Sequence, residues 1–198
     1  AFIKKYEICK NEKVYDMTYK DKLVVVINGK GGVGKDTLCG IIEKHYKCLN
    51  VSTITPIKQI ASQYGWNGEK DLKSRRFLAE LKRVFANYND LPNKYLVEEY
   101  NSFSKSDNQI MFVHIREKDQ IEKFIKSING NCITLLITSS RNNDSDALYG
   151  NDADDLVEEF TYDYIYDNSL PLERTEEDFL EYFNRIIKDL KLNITSVN

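Results

Sequence analysis

The run Leu23-Val24-Val25-Val26-Ile27-Asn28, which flows straight into Gly29-Lys30-Gly31-Gly32-Val33-Gly34-Lys35-Asp36-Thr37, constrains this chain more than any other stretch. An apolar run this short, ended by glycines, reads as a buried strand. The residues that follow, Leu38, Ile41, Ile42 and Tyr46, recur at helical spacing. Strand, glycine-rich turn and amphipathic helix are the context that the GxxxxGK pattern requires. Glycines let the main chain wrap a phosphate with its N–H groups pointing inward, and a helix beginning near Lys35 adds its positive dipole end and an ammonium charge. Nucleotide phosphates are therefore the expected ligand, and Gly29, Lys30, Gly31, Gly32, Val33, Gly34, Lys35, Asp36 and Thr37 the residues expected to contact them.

Composition bounds the alternatives. At 198 residues, 41% hydrophobic and 30% charged, the sequence suits one domain with a sizeable core. No run approaches the ~20 apolar residues of a membrane span, and the start carries no apolar signal-peptide core, so a cytoplasmic protein is expected. Cys9, Cys39, Cys48 and Cys132 are scattered, without a CxxC pair or a neighbouring histidine spacing. Reduced, buried thiols are expected rather than disulfides or zinc. A net charge of −3 without a long basic block argues against duplex nucleic acid as a partner and leaves a small nucleotide open.

Along the chain, residues 1–22 mix aromatics and lysines without a helical period and suggest a hairpin-like appendage turning at Lys10-Asn11-Glu12. Asn50 to Thr55 reads as a strand, and Pro56 opens a short helix with Ile57, Ile60 and Ala61. Glu69 to Tyr88 spaces Leu72, Phe77, Leu78, Leu81, Val84, Phe85 and Tyr88 as one helical face, and a further helix is predicted from about Asn93 to Phe103. Strands are predicted at Ile110–Ile115, Cys132–Thr138 and Tyr162–Tyr166, with a helix over Asp119–Ile128. A last helix starts at Thr175 in a capping-box-like pattern with Asp178 and carries Phe179, Phe183, Ile186, Ile187 and Leu190. The alternation implies a three-layer α/β/α sandwich with a mostly parallel sheet over 23–198. Ligands of such sheets lie beyond the carboxyl ends of the strands, so Asn28, Thr55, Arg116 and Ser139 are expected to edge one cleft.

The Gly34-Lys35-Asp36-Thr37 ending, with its hydroxyl one residue later than in most phosphate loops, resembles the nucleoside monophosphate kinases, most closely the deoxynucleoside monophosphate kinases. Trp66-Asn67-Gly68-Glu69-Lys70-Asp71 followed by Arg75-Arg76-Phe77-Leu78 looks like their acceptor-holding segment. Phe112-Val113-His114-Ile115-Arg116-Glu117 resembles their strand ending in Asp-Val-Arg. The resemblance runs from about residue 23 to the end. It implies a P-loop fold, an acceptor-side helical insert over 66–106, a lid-like segment over 139–155 and transfer of a phosphoryl group from ATP or GTP with Mg²⁺. The acceptor it implies is a small one, a (deoxy)nucleoside monophosphate. Lys35, Arg116 and Arg141 would then serve the transfer, Arg75, Arg76 and Arg116 would hold the acceptor phosphate, and Thr37 with Asp36 would orient the metal.

Two departures weigh on that reading. His114 stands where the resemblance expects an aspartate, and imidazole is a poor partner for a hard cation, which leaves Asp36 and Glu117 as the nearest carboxylates. The lid-like segment has one arginine, Arg141, against Asp144, Asp146, Asp152, Asp154 and Asp155. Lys30-Gly31-Gly32-Val33-Gly34-Lys35 also resembles the deviant loop of partition-type ATPases, in which the first lysine reaches across a dimer, although that family has threonine where Asp36 stands. The second reading is thus a catalytically weak nucleotide switch or protein-docking module; a monomer or a homodimer fits the first. For Arg116 a salt bridge to Glu117 or Asp119 is the ordinary alternative, for Arg75 and Arg76 solvation on a charged helix. His114 is expected as a buried histidine satisfied by backbone, and Trp66 as packing.

Overall fold

The computed structural model describes residues 20–69, 71–140 and 157–197. Five strands, β1 (Leu23–Asn28), β2 (Cys48–Ser52), β3 (Ile110–His114), β4 (Ile133–Thr138) and β5 (Tyr164–Asp167), form one sheet in the order β2-β3-β1-β4-β5, and every pair is parallel. Between them lie the helices α1 (Lys35–Glu43), α2 (Thr55–Gln63), α3 (Leu72–Asn89), α4 (Leu91–Phe103) and α5 (Lys118–Ser127), and α6 (Leu172–Asp189) follows β5. The three-layer arrangement follows from the pleat of β1. Leu23, Val25 and Ile27 point into a core closed by Leu38, Ile41 and Ile42 of α1 and Phe179, Phe183 and Ile186 of α6. Val24 and Val26 point the opposite way, onto Leu96 and Phe103 of α4 and Ile121 and Phe124 of α5. A strand covered on both faces has no polar side to show, which is why its sequence does not alternate.

The central place of β1 positions the site. Chain segments leave it toward β3 and β2 on one side and β4 and β5 on the other, so a crevice opens beyond its carboxyl end. No helix among the described residues is long and apolar enough to cross a membrane.

Several boundaries move. β2 begins two residues earlier than predicted and ends at Ser52; β5 is Tyr164–Asp167 rather than Tyr162–Tyr166. Thr175 does not start α6. Pro171 is the N-cap, and Thr175 lies buried in the first turn with its hydroxyl donating to the carbonyls of Leu170 and Pro171. The preset φ of proline suits a helix start, so it overrides the capping-box pattern downstream. The predicted apolar face of α3 is mostly exposed. Only Leu78 is buried, Leu81 and Phe85 pack partly on Ile57 and Ala61 of α2, and Leu72, Phe77, Val84 and Tyr88 face outward. This helix rests chiefly on α2 and α4 rather than on the sheet, so less of it is covered than its periodicity implies. Cys39 and Cys132 are buried free thiols, whereas Cys48 is only half-buried at the sheet edge. Burial pushes the Cys39 thiol up, and that of Cys48 to about 12, so neither is a thiolate at neutral pH.

Candidate active site

Three glycines of the loop between β1 and α1 have positive φ, Gly29, Gly32 and Gly34, and at the first and last of them a side chain would clash. Gly29 has φ 149°, and a Cβ there would strike the carbonyl oxygen of Ile137 on β4; Gly34 has φ 92°, and a Cβ there would lie 2.6 Å from Nδ2 of Asn168. Side chains are thus excluded where the loop leaves the strand and where it enters the helix. Gly34 is also the N-cap of α1, and no side chain caps that first turn. The positive end of the helix therefore faces the loop without a built-in acceptor, as an anion site requires. Lys35 folds back over the loop and donates to the carbonyls of Gly29 (2.5 Å) and Lys30 (2.8 Å). Its ammonium is thus aimed into the cradle. Asp36 and Thr37, one and two residues on, are exposed.

Asparagines fix the loop from beneath. Asn28, buried at the end of β1, accepts from the N–H of Gly29 (2.8 Å) and donates to the Arg116 carbonyl (3.0 Å) and the Tyr162 hydroxyl (2.8 Å). The Tyr162 hydroxyl in turn donates to the Val157 carbonyl at 2.9 Å, and burial raises that phenol to about 12 against the opposing hydrogen bond from Asn28. From the other side Asn168, just past β5, donates to the Val33 carbonyl at 2.8 Å, while its own N–H goes to Thr138 and its carbonyl accepts from Ser139. Asn168 went unrecognised in the sequence, where Asn168-Ser169 before Leu170-Pro171 reads only as a turn. Replacing Asn168 by alanine leaves a buried carbonyl without its partner, so a stability loss of about 1–3 kcal/mol is expected, together with weaker triphosphate binding. Urea denaturation and calorimetric titration check the two parts. Unchanged affinity would show that the loop holds its shape without this tie.

The end of β3 lies beside the loop, His114 being level with Ile27 of β1. His114 shares a sheet face with Phe112, the face covered by α1, and its Nε2 is 3.2 Å from Oδ1 of Asn50 on β2 and 4.0 Å from the Cys39 sulfur. It is satisfied by a side chain of the neighbouring strand, not by backbone as expected. Burial lowers its pKa; the positive charges of Lys35 and Arg116 act in the same direction and the Asp36 carboxylate opposes them. His114 therefore stays neutral at physiological pH, and the charges of Lys35, Asp36 and Arg116 all bear on it.

The carboxylate of Glu117 turns away toward α3, where Lys82 holds both its oxygens at 2.7 and 2.8 Å. Lys82 was not singled out in the sequence, because nothing in a basic, amphipathic helix marks one of its cations as inward. Arg75 lies two helical turns before Lys82 on the same face of α3 and is half-buried. Arg76, one residue on and therefore about 100° round the helix, is exposed. The Lys30 ammonium is 3.7 Å from Glu158, with 41% and 68% of the two side chains exposed. The Trp66 ring packs at the α2–α3 cluster, with its Nε1 buried. Arg141, most of the 139–155 segment and residues 1–19 of the appendage lie outside the described residues.

The donor set suits a triphosphate, because the glycine turn, the uncapped start of α1 and the Lys35 ammonium all converge on the same volume. Among the described residues no group of three or more His, Cys, Asp or Glu side chains forms a metal cage. Mg²⁺ in nucleotide sites needs none, since it keeps several waters and takes one or two protein oxygens besides the phosphates. Thr37 and Asp36 are the oxygens at hand.

No family model matches the chain, and no curated protein matches it by sequence. Among solved structures, the tunicamycin resistance protein of Deinococcus radiodurans is similar, with a TM-score of 0.52 at 10% identity over 89% of this chain and 99% of that one. A gluconokinase from Sinorhizobium meliloti aligns over 87% of this chain and 97% of its own with 12% identity and a TM-score of 0.44. The three-layer α/β sandwich that the sequence predicts, here with an all-parallel sheet, is thus a fold shared with the tunicamycin resistance protein. At such identities the likeness extends to the fold and not to a substrate.

Proposed function

We propose that the chain is a phosphotransferase that moves the γ-phosphoryl group of ATP or GTP to a (deoxy)nucleoside monophosphate, with Mg²⁺. The observation that carries this reading is a glycine loop shaped for phosphate with the Lys35 ammonium bonded over it, and the charges of Lys35, Asp36 and Arg116 all bear on His114 at the adjoining end of β3. Two cations and a carboxylate at one strand end suit a site where phosphate charge must be held and metal-bound oxygens ordered. The protein's task in such a transfer is positioning and neutralising, so no nucleophilic side chain is required.

In this mechanism Lys35 exchanges the loop carbonyls for oxygens of the β- and γ-phosphates, and the N–H groups of Gly31 to Thr37 hold the same phosphates. Arg116 holds the phosphate of the acceptor, whose oxygen attacks γ-phosphorus while the bond to the β-bridging oxygen breaks. The charge left on the departing diphosphate falls to Lys35. Thr37 and Asp36 would hold Mg²⁺, which would supply charge neutralisation to the phosphates. His114, being neutral, adds no competing cation. Arg141 is proposed to close over the transferring group.

A coupled assay of ADP release over a panel of nucleoside monophosphates tests the reading. Strong stimulation by one acceptor is the expected result; slow hydrolysis, indifferent to every acceptor, would overturn it. A narrower prediction concerns Arg116, whose replacement by lysine keeps the charge and loses the planar fork. Arg116→Lys is expected to raise the acceptor KM at least ~10-fold, roughly 1.4 kcal/mol, with little change for ATP. Equal losses for both substrates would place Arg116 on the donor side.

A further inference from the structure

Among the described ion pairs near the site, Lys82–Glu117 is the most enclosed. Its side chains are 14% and 36% exposed, whereas those of Lys44–Glu176 and Lys47–Asp107 are at least half exposed. Extended stems of this kind are held in one geometry only at an entropic cost, so an enclosed bidentate pair at a crevice edge calls for a reason. Glu117 is the N-cap residue of α5, yet its carboxylate makes no capping hydrogen bond and reaches across to α3 instead. It follows directly after Arg116, whose main chain is tied to the glycine loop through Asn28. Lys82 therefore delivers a cation to the rim of the same crevice from an element that shares no strand with it. On the same face of α3, two turns earlier, stands Arg75, with only the small Ala79 between the two cations on that face.

We infer that Lys82 is an acceptor-binding residue that receives a phosphate monoester dianion, and that Glu117 is the carboxylate which that dianion displaces. The inference rests on the phosphotransferase reading and adds a residue to it. Lys35 behaves alike on the donor side, where loop carbonyls take the place that phosphate oxygens would fill. When the acceptor phosphate arrives, it replaces Glu117 as the partner of Lys82. An ammonium already withdrawn from water loses less hydration on meeting the new anion than an exposed one would. A dianion also competes well with a single carboxylate for the same cation. The site would thus select phosphorylated acceptors over their uncharged parents.

Calorimetric titration of the wild-type protein with each of the four deoxynucleoside monophosphates, and with the four matching nucleosides, tests this directly. Lys82→Met, which keeps the length and apolar stem, is expected to weaken binding of the monophosphate at least ~30-fold and to leave the nucleoside unchanged; Lys82→Arg should restore most of the loss. Glu117→Gln, with the competing charge removed, should tighten the monophosphate ~3-fold or more. Equal affinity of wild type and Lys82→Met for every monophosphate, with the fold intact by circular dichroism, would overturn the inference. So would a Glu117→Gln variant whose monophosphate affinity is unchanged but whose Mg²⁺ dependence of ATP binding shifts, since Glu117 would then belong to the metal. The two levels separate. Monophosphate binding that depends on Lys82, without any acceptor-stimulated ADP release, would keep the binding role and remove the phosphotransferase reading.

Discussion

Lys35→Ala is expected to weaken ATP binding at least ~100-fold, because two phosphate groups lose their ammonium partner and each charge-assisted bond is worth roughly 1.5–3 kcal/mol. The fold should survive the change. The Lys35 ammonium bonds to the carbonyls of Gly29 and Lys30, both in the loop itself and neither in the packed cores. Calorimetric titration with a non-hydrolysable ATP analogue, beside a circular dichroism melt, separates binding from stability. Unchanged affinity in a folded variant would remove the nucleotide site altogether, and with it both functional readings.

Gly29→Ala is expected to cause a large loss of stability. The new Cβ meets the carbonyl oxygen of Ile137 on β4, and the φ of 149° is one that side-chain-bearing residues rarely adopt. Strain of this type costs about 1–3 kcal/mol, and moving a central strand away from β1 adds a comparable packing loss, for a total of at least ~3 kcal/mol. The contrast with Gly34→Ala sharpens the prediction. There the Cβ meets the Asn168 amide, a side chain that can swing away, so a smaller stability loss and a larger loss of loop order are expected. Urea denaturation of both variants checks the order. A Gly29→Ala protein as stable as wild type would mean that β4 is not held against the loop as described.

The second functional reading depends on Lys30, whose ammonium lies 3.7 Å from Glu158. A lysine there is able to reach outward, but no feature of the described residues favours a nucleotide-driven dimer over transfer chemistry. Sedimentation of the wild-type protein with and without ATP is the discriminating measurement, and no ATP-dependent dimer is expected.

Much of this protein is local information. The unbroken apolar run of β1, the glycine spacing and the helical period after Lys35 each act over a few residues, and together they determine the strand, the loop and the parallel α/β class before any contact is known. The bounds of β1 were legible for the same reason. Tertiary structure alone decided which side chains meet. Asn168 reaches the Val33 carbonyl from 135 residues away because β5 ends next to the loop, and Asn28 reaches Tyr162 across 134. Lys82 is distinguished from Arg76 and Arg83 only by the way α3 leans on α2 and α4, and the same lean leaves Phe77, Val84 and Tyr88 in water although their spacing predicts burial. Helical periodicity states that a face exists; what covers that face depends on where the other elements fall. A cation's role likewise depends on the partner that the fold brings to it, and for Lys82 that partner is Glu117, 35 residues away in sequence and 2.7 Å away in space.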